Sequence, residues 1–289
     1  MANVTVTTAD KNIDEKWMAE LNRGVELDIV VAAKFTDKSS VLPSGDTAHL
    51  VSRHHLTADT KSAGSALTPQ ALTETEQTFV VNTHQGVAQS IEDIAKVQSK
   101  YNIRSEYTQE YSYCLARAMD VSAANLFDDN TTQVVGAYGA ELGDSDLLDA
   151  RAYIRNSGGR GGQIVFVPPA TYNGFLKVDK FVNQLYNGDQ KGRAVNQAQL
   201  GKLYESTVYE SQLLPGTSPA ASGAWFTAGH FFKIVQRSPT FHSWYSPNDL
   251  MDVLSADCIY GMFEKLEADE GAGVTTNARL YSVHLKCKK

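Results

Sequence analysis

The sequence predicts an α+β fold on three observations. Two strand-like runs flank an uncharged tip, one long helical stretch lacks glycine and proline, and in the second half strands and helices succeed one another as packed layers. At 289 residues, 42% hydrophobic and 20% charged, the chain is long enough to bury a substantial core and does not have a disordered composition.

Residues 1–12 are small and polar and read as extended, while Ile13, Trp17 and Leu21 recur at steps of four and predict a short amphipathic helix over 13–26. This leading stretch reads as an arm with an anchor. After a turn cluster at 42–46, the run TAHLVSRHHL (47–56) alternates, with Ala48, Leu50 and Leu56 on one parity. The run TETEQTFVVNTHQGV (73–87) is rich in Thr, Phe and Val, with Phe79 and Val81 on one face. Together they predict a long β-hairpin whose tip is the segment between Lys61 and Glu74, twelve residues without a charge. Those residues are too small to build a core and too apolar for an ordinary hydrated loop. A two-stranded hairpin alone is marginal in water, so this one is expected to lie on something, and if its own chain cannot cover the tip, another copy must.

No glycine or proline occurs from Val87 to Val135. Val87, Gln89 and Ile91 share strand parity whereas Ile94 and Val97 look helical, which places a strand-to-helix break near Glu92. Asn102 is an N-cap candidate for a helix over 103–127, with Ile103, Tyr107, Tyr111, Cys114, Ala118 and Val121 as its apolar stripe. At 1.5 Å per residue such a rod is roughly 37 Å long. In the second half, 146–158 predicts a helix with a glycine stop and Ser145 as its N-cap. GGRGGQ (158–163) reads as a flexible turn, IVFVPP (164–169) as a buried strand ended by prolines, and 170–186 as a further helix. A polar loop holding Gly188, Asp189, Lys191 and Arg193 comes after it. Next come a strand over 202–211, a loop over 214–223, a strand over 230–237, and amphipathic segments over 250–269 and 278–287.

Composition excludes several function classes. A net charge of −7 gives no long-range attraction for nucleic acid or an anionic membrane face. No apolar run approaches the roughly 20 residues of a membrane span. Cys114, Cys258 and Cys287 share no metal-like or redox spacing, and their odd count fits a reduced compartment better than a disulfide framework.

The candidates for chemistry are thin. GDSDL (143–147) resembles the GDSL esterase block, but it lies mid-chain with an inserted Asp, and the late His284 has no Asp three residues before it; Ser145 therefore reads as a helix cap rather than a nucleophile. GGRGGQ has a helix before it and a strand after it, the reverse of a phosphate-binding loop. His54 and His55 are adjacent in a strand, point to opposite faces and cannot clasp one metal. Glu74 with Glu76 and Asp128 with Asp129 read as solvated charge, and Tyr107, Tyr111 and Tyr113 as packing. No catalytic residue, metal or cofactor is expected.

The ordered set of segments does resemble a known family. YSYCLARAMD (111–120), GQIVFVPPATYNGFLKVDKF (162–181), VYESQLLP (208–215) and DVLSADCIYGMFEKLEAD (252–269) succeed one another, behind an arm and a hairpin, as in the major capsid proteins of tailed bacteriophages, the Hong Kong 97 fold. The resemblance spans nearly the whole chain. It implies an N-terminal arm (1–40), an extended loop (41–85) reaching over a neighbouring subunit, and a peripheral domain (86–129) with 103–127 as its spine helix. An axial domain (130–246) comes next, and 247–289 returns to complete the peripheral-domain sheet. By that resemblance the protein self-assembles into pentamers and hexamers of an icosahedral head that encloses double-stranded DNA without sequence-specific binding. It would be a virion component assembled in the host cytoplasm, with a separate scaffolding protein, a portal and decoration proteins as partners and no membrane. Lys61, Ser65, Leu67, Thr68, Pro69 and Leu72 would be intersubunit contacts of the extended loop, and Gly188, Asp189, Lys191 and Arg193 would meet at the capsomer centre. The arm begins almost at once, so no large cleaved prodomain is expected. A cellular nanocompartment shell shares this fold and is the rival reading; a GDSL-like esterase is the enzyme rival.

Overall fold

The computed structural model describes residues 26–27, 29–53, 56, 58–71, 74–99, 103–131, 133–178, 181, 202–268, 277–278 and 281–289. The expected extended stretch 1–12, the anchor helix over 13–26 up to residue 25, the His54–His55 pair and the Asn102 cap lie outside the described residues.

In chain order the elements are α1 (Val31–Lys34), β1 (Thr36–Asp37), β2 (Thr47–Arg53), β3 (Glu74–Val80), β4 (Thr83–Glu92), α2 (Asp93–Gln98) and α3 (Ile103–Asn125). They continue with β5 (Val134–Gly136), α4 (Asp144–Asn156), β6 (Gln163–Val167), α5 (Pro169–Phe175), β7 (Lys202–Leu203), β8 (Ser206–Glu210), β9 (Ala220–Thr227), β10 (Phe231–Ser246), β11 (Met251–Glu264), β12 (Glu267–Ala268), β13 (Asn277–Ala278) and β14 (Ser282–Lys288). Two sheets carry the architecture. One has the order β1-β10-β11-β4, the other β5-β14-β9-β6-β8-β7, while β2 pairs with β3 and β12 with β13.

The long helix lies on one face of the four-stranded sheet, where Tyr111 and Leu115 bury against Ile91, Leu254, Ala256, Cys258 and Tyr260. Its contact line runs in steps of four from Tyr107 through Tyr111 and Leu115 to Met119. The expected stripe instead stepped by three to Cys114, which turns away from the sheet and is exposed. Asn125 ends the helix, and a 3-10 turn over Leu126–Asp129 completes the stretch expected to reach 127. The strand-to-helix break falls at Glu92, where β4 stops and α2 begins.

The six-stranded sheet is covered on both faces. Val165, Val167, Trp225, Val283 and Leu285 pack against α4 and α5 through Leu147, Ala150, Ile154 and Phe175. On the opposite face Phe166, Ala224 and Phe226 meet Val31, Phe35, Ala123, Phe127 and Phe231. That double cover explains the uninterrupted apolar run of β6. It also explains β9, whose small residues suggested a loop over 214–223. The loop ends at Pro219, and Ala221–Phe226 are buried strand residues. A Cβ at Gly223 would stand 2.4 Å from the Phe166 carbonyl oxygen, so the close approach of β6 and β9 dictates the glycine. Gly223→Ala should destabilise the fold by about 1–3 kcal/mol through overpacking, read as a lower denaturant midpoint at unchanged slope.

Three further expectations change. Gly143, not Ser145, is the N-cap of α4; its N–H is accepted by Asp146 Oδ2 at 2.8 Å, and the exposed Ser145 sits one residue into the helix. The single strand expected over 202–211 is a tight hairpin, β7 turning into β8 through Tyr204 (φ 47°) and Glu205 (φ 70°), a two-residue connection with both φ values positive. The helix expected over 170–186 begins with Pro169 in its first turn and ends at Phe175, where Lys177 and Val178 N–H groups donate to Gly174 and Phe175 carbonyls in i to i+3 turns; its expected continuation over 182–186 lies outside the described residues.

The sheets do not respect the expected boundary at residue 246. β10 and β11 pair antiparallel from Phe231↔Glu264 to Ser246↔Met251, so β10 belongs beside the long helix. The last strand, β14, lies between β5 and β9 in the six-stranded sheet rather than returning to the helix-bearing one. The described end of the arm is also core: Val31 and Phe35 are buried, and β1 pairs parallel with β10.

Candidate assembly surfaces

The hairpin β2–β3 is anchored at its base and bare at its tip. Phe79 packs edge-on against Phe232, with ring centroids 4.9 Å apart, and tilted against Phe263 at 5.2 Å. Ala48 and Leu50 join the same cluster. Gln77 clasps the body from both ends of its amide, donating to Glu264 O and accepting from Leu266 N–H, each at 2.9 Å. Farther out, alternation leaves ion pairs on the exposed side: Arg53 Nε meets Glu74 Oε1 at 2.7 Å, and His49 meets Glu76. The two glutamates thus each have a cross-strand partner, Arg53 or His49, and are not a reactive carboxylate pair.

Beyond the pair Arg53↔Glu74 all described residues of 58–71 are exposed. Lys61, Ser65, Thr68 and Pro69 are solvent-facing, and Leu67 is 56% exposed. Ser65 N–H and Oγ both donate to Ser62 O, closing a turn in which Gly64 takes φ +86°, a geometry that favours glycine at the third position. Gln70 Nε2 donates to Asp59 Oδ2 at 2.9 Å, tying the two legs together. Leu72 and the loop residues Gly188, Asp189, Lys191 and Arg193 lie outside the described residues.

A second projecting surface escaped the sequence reading. The β10–β11 turn and α2 together expose Trp244, Leu250, Ile94 and Val97, the last at 86%. Lys96 fixes α2 to the turn: its Nζ lies 2.6 Å from Asp252 Oδ2 and 2.8 Å from Asp93 Oδ1, while Tyr245 Oη donates to Asp93 Oδ2 at 2.8 Å. Hydrogen bonds to Asp252 and Asp93 raise the Lys96 pKa, and hydrogen bonds from Lys96 and Tyr245 lower that of Asp93. The available signal was the spacing of Trp244, Tyr245 and Leu250 around a turn-forming SPND stretch.

The end of the arm is held by the long helix. Asp120, wholly buried, accepts Ala32 N–H at 2.7 Å and Val30 N–H at 3.4 Å, and Tyr113 Oη accepts Leu27 N–H at 2.8 Å. Burial drives the Asp120 pKa up against these backbone donors, which lower it.

Among the described residues no catalytic constellation forms around the candidate nucleophile. His284 is 3% exposed and its Nδ1–H donates to Asn130 O at 3.1 Å, and no hydrogen bond joins it to Ser145. GGRGGQ is a turn between α4 and β6, with Gly158 and Gly161 at positive φ. Among the described residues no group of three or more His, Cys, Asp or Glu side chains is placed to hold a metal ion, and no helix is long and apolar enough to cross a membrane.

A family model described as phage capsid protein matches residues 73–249. No curated protein matches the sequence. Among solved structures, the chain is similar to one from Mycobacterium phage Che8 at 17% identity and a TM-score of 0.79, covering 94% of this chain and 96% of that one. It is similar to the acidic stable capsid structure of Helicobacter pylori bacteriophage KHP30 at 11% identity and a TM-score of 0.78, covering 100% and 99%. The capsid structure of cyanophage P-SCSP1u aligns at 13% identity and a TM-score of 0.74, covering 97% and 94%.

Proposed function

The chain belongs to the phage capsid protein family and has the Hong Kong 97 fold, and from that premise we propose that it assembles, as pentamers and hexamers, into the icosahedral head enclosing a phage's double-stranded DNA. The observation that carries this reading is the hairpin tip: an uncharged, fully exposed segment held out from a body that anchors only its base. Such a tip can settle on another subunit with little desolvation penalty, which charged residues would impose. Lys61, Ser65, Leu67, Thr68, Pro69 and Leu72 would make that contact. The peripheral unit would then comprise the long helix with β1, β4, β10 and β11, and the axial unit the six-stranded sheet. The loop with Gly188, Asp189, Lys191 and Arg193 would meet its copies at the capsomer centre.

In a closed shell each subunit engages several neighbours at once, so weak individual contacts suffice for retention and still permit correction of errors. The role is mechanical, not catalytic. An acidic subunit is compatible with enclosing DNA, because a strongly basic wall would bind it non-specifically and in a salt-dependent way. A scaffolding protein, a portal and decoration proteins are the proposed partners, and the head would be completed in the host cytoplasm.

Electron microscopy of the purified full-length protein tests this, with closed shells, or isolated pentamers and hexamers, as the expected result. Particles that remain monomeric at high protein concentration, with and without a co-expressed scaffolding protein, would overturn the assembly reading.

A further inference from the structure

The chain crosses between its two sheets at three places, and one buried run of polar groups ties all three together. The first crossing comes after α3 and carries Asp128 and Asn130. The second is the turn between β9 and β10, which holds His230. The third leads from Glu264 at the end of β11 to Ser282 and His284 in β14. His230 Nε2 lies 2.9 Å from Glu264 Oε1, and the same oxygen accepts Ser282 Oγ–H at 2.7 Å. Asn130 Nδ2 donates to Ser282 O at 3.1 Å and faces Ser282 Oγ at 3.3 Å, while Asn130 O accepts from His284 Nδ1 at 3.1 Å. His284 Nε2 stands 3.7 Å from Asp128 Oδ1, which itself accepts from Ser222 Oγ at 2.9 Å and Tyr138 Oη at 3.1 Å. Asn130, His230, Glu264, Ser282 and His284 are all buried.

Buried polar groups that join separate segments are held by the hydrogen bonds they complete. In this run each imidazole uses one nitrogen, and the other, His230 Nδ1 or His284 Nε2, is buried without a hydrogen-bond partner among the described residues. At His284 that pattern suits a neutral ring, since a proton on Nε2 would bring an N–H into a buried place that offers it no acceptor at bonding distance. We infer that this run is a pH-sensitive joint, holding the two sheets in their relative setting while His284 is neutral and loosening when His284 takes up a proton.

The charged and titratable groups facing His284 are Asp128 from the segment after α3, Lys286 from β14 itself, and the Tyr138 ring at 6.2 Å. His230 faces Glu264, with the rings of Phe231 at 5.1 Å and Tyr281 at 6.4 Å. Burial pulls the His284 pKa below its ordinary 6.5, with the hydrogen bond to Asn130 and the Asp128 charge opposing and Lys286 assisting. At pH 7.5 the ring is therefore neutral in folded and unfolded chains; below pH 6.5 the unfolded chain binds the proton first, so the joint weakens as pH falls through that window.

The joint lies within one chain and goes beyond the assembly reading, so it is tested on dissociated full-length subunits. Hydrogen exchange, corrected for the intrinsic pH dependence of the rate, is compared at pH 7.5 and 5.5. Peptides covering 128–131, 228–231, 262–266 and 282–286 should lose several-fold more protection than β6, below the tenfold ceiling that one ring of ordinary pKa 6.5 sets between those pH values. His284→Gln keeps a donor for Asn130 O but cannot titrate, and should abolish that differential. Equal loss in β6, or a wild-type response in His284→Gln, would overturn the proposal. Should His284→Gln not fold, Asp128→Asn serves: its side chain is 56% exposed and its oxygen still accepts from Ser222, but it removes the charge that favours the protonated ring. The folded ring's pKa then falls further while the unfolded value stays, so the differential loss of protection at pH 5.5 should grow, and a loss no larger than wild type's overturns the joint.

Discussion

Phe127→Ala will lower the unfolding free energy by about 3–5 kcal/mol, the range for removing a fully buried aromatic ring. Phe127 is 1% exposed and sits just past the long helix in its closing 3-10 turn. Its ring centroid lies 5.5 Å from Phe231, 5.7 Å from Phe166, 6.0 Å from Phe226 and 6.3 Å from Phe35. Those four rings come from the start of β10, from β6, from β9 and from the residue after α1. The deletion therefore opens a cavity where both sheets, the long helix and the described end of the arm converge, and a site bounded by four elements cannot collapse by moving one. Domains of ordinary stability hold only about 5–15 kcal/mol in total, so the variant should be marginal at 37 °C. A chemical denaturation midpoint measures it. A loss below about 1 kcal/mol would mean that the cluster packs loosely and that the two sheets do not depend on it.

The same cluster marks where the sequence was legible and where it was not. Period and composition are local signals, and they located the hairpin as far as Val80, the break at Glu92 and the long helix, because each depends on neighbours a few residues away. The second hairpin run, expected to reach Val87, instead passes at Thr83 into β4, which pairs with β11 in the four-stranded sheet. Ala220–Thr227 was opaque for the opposite reason. A stretch of Ala, Ser and Gly reads as a loop until β6 is known to press its Phe166 carbonyl against Gly223. The final strand carries no mark in its own residues of lying between β5 and β9, since pairings across about 150 residues of chain are chosen by the whole core. The exposed group of Trp244, Leu250, Ile94 and Val97 likewise needed two separate segments brought side by side. The reactive motifs failed for a simpler reason: Ser145 is an exposed residue in the first turn of α4, while His284 is used inside a buried polar run.

Replacing residues 54–73 with Asn-Gly will leave the melting of the dissociated subunit unchanged and abolish shell formation, or raise the concentration needed for it by more than tenfold. Arg53 and Glu74 are the outermost paired residues of the hairpin, and an Asn-Gly connection of two residues closes such a ladder in the turn that matches strand twist. The segment removed contributes no buried apolar side chain among its described residues: Leu56 is 60% exposed and Leu67 56%. Its described hydrogen bonds, Ser65 to Ser62 and Gln70 to Asp59, run within the segment. Subunit stability should therefore move by no more than about 0.5 kcal/mol, as for surface changes that touch no packed feature. Assembly responds differently, because a junction missing from one subunit is missing at every position of a closed shell, and the deficits compound. Differential scanning calorimetry of the subunit and light scattering of the assembling protein separate the two effects. A fall of several degrees in the subunit's melting temperature would show that the tip belongs to its own core. Shells forming at the wild-type concentration would show that copies of this chain hold together without it.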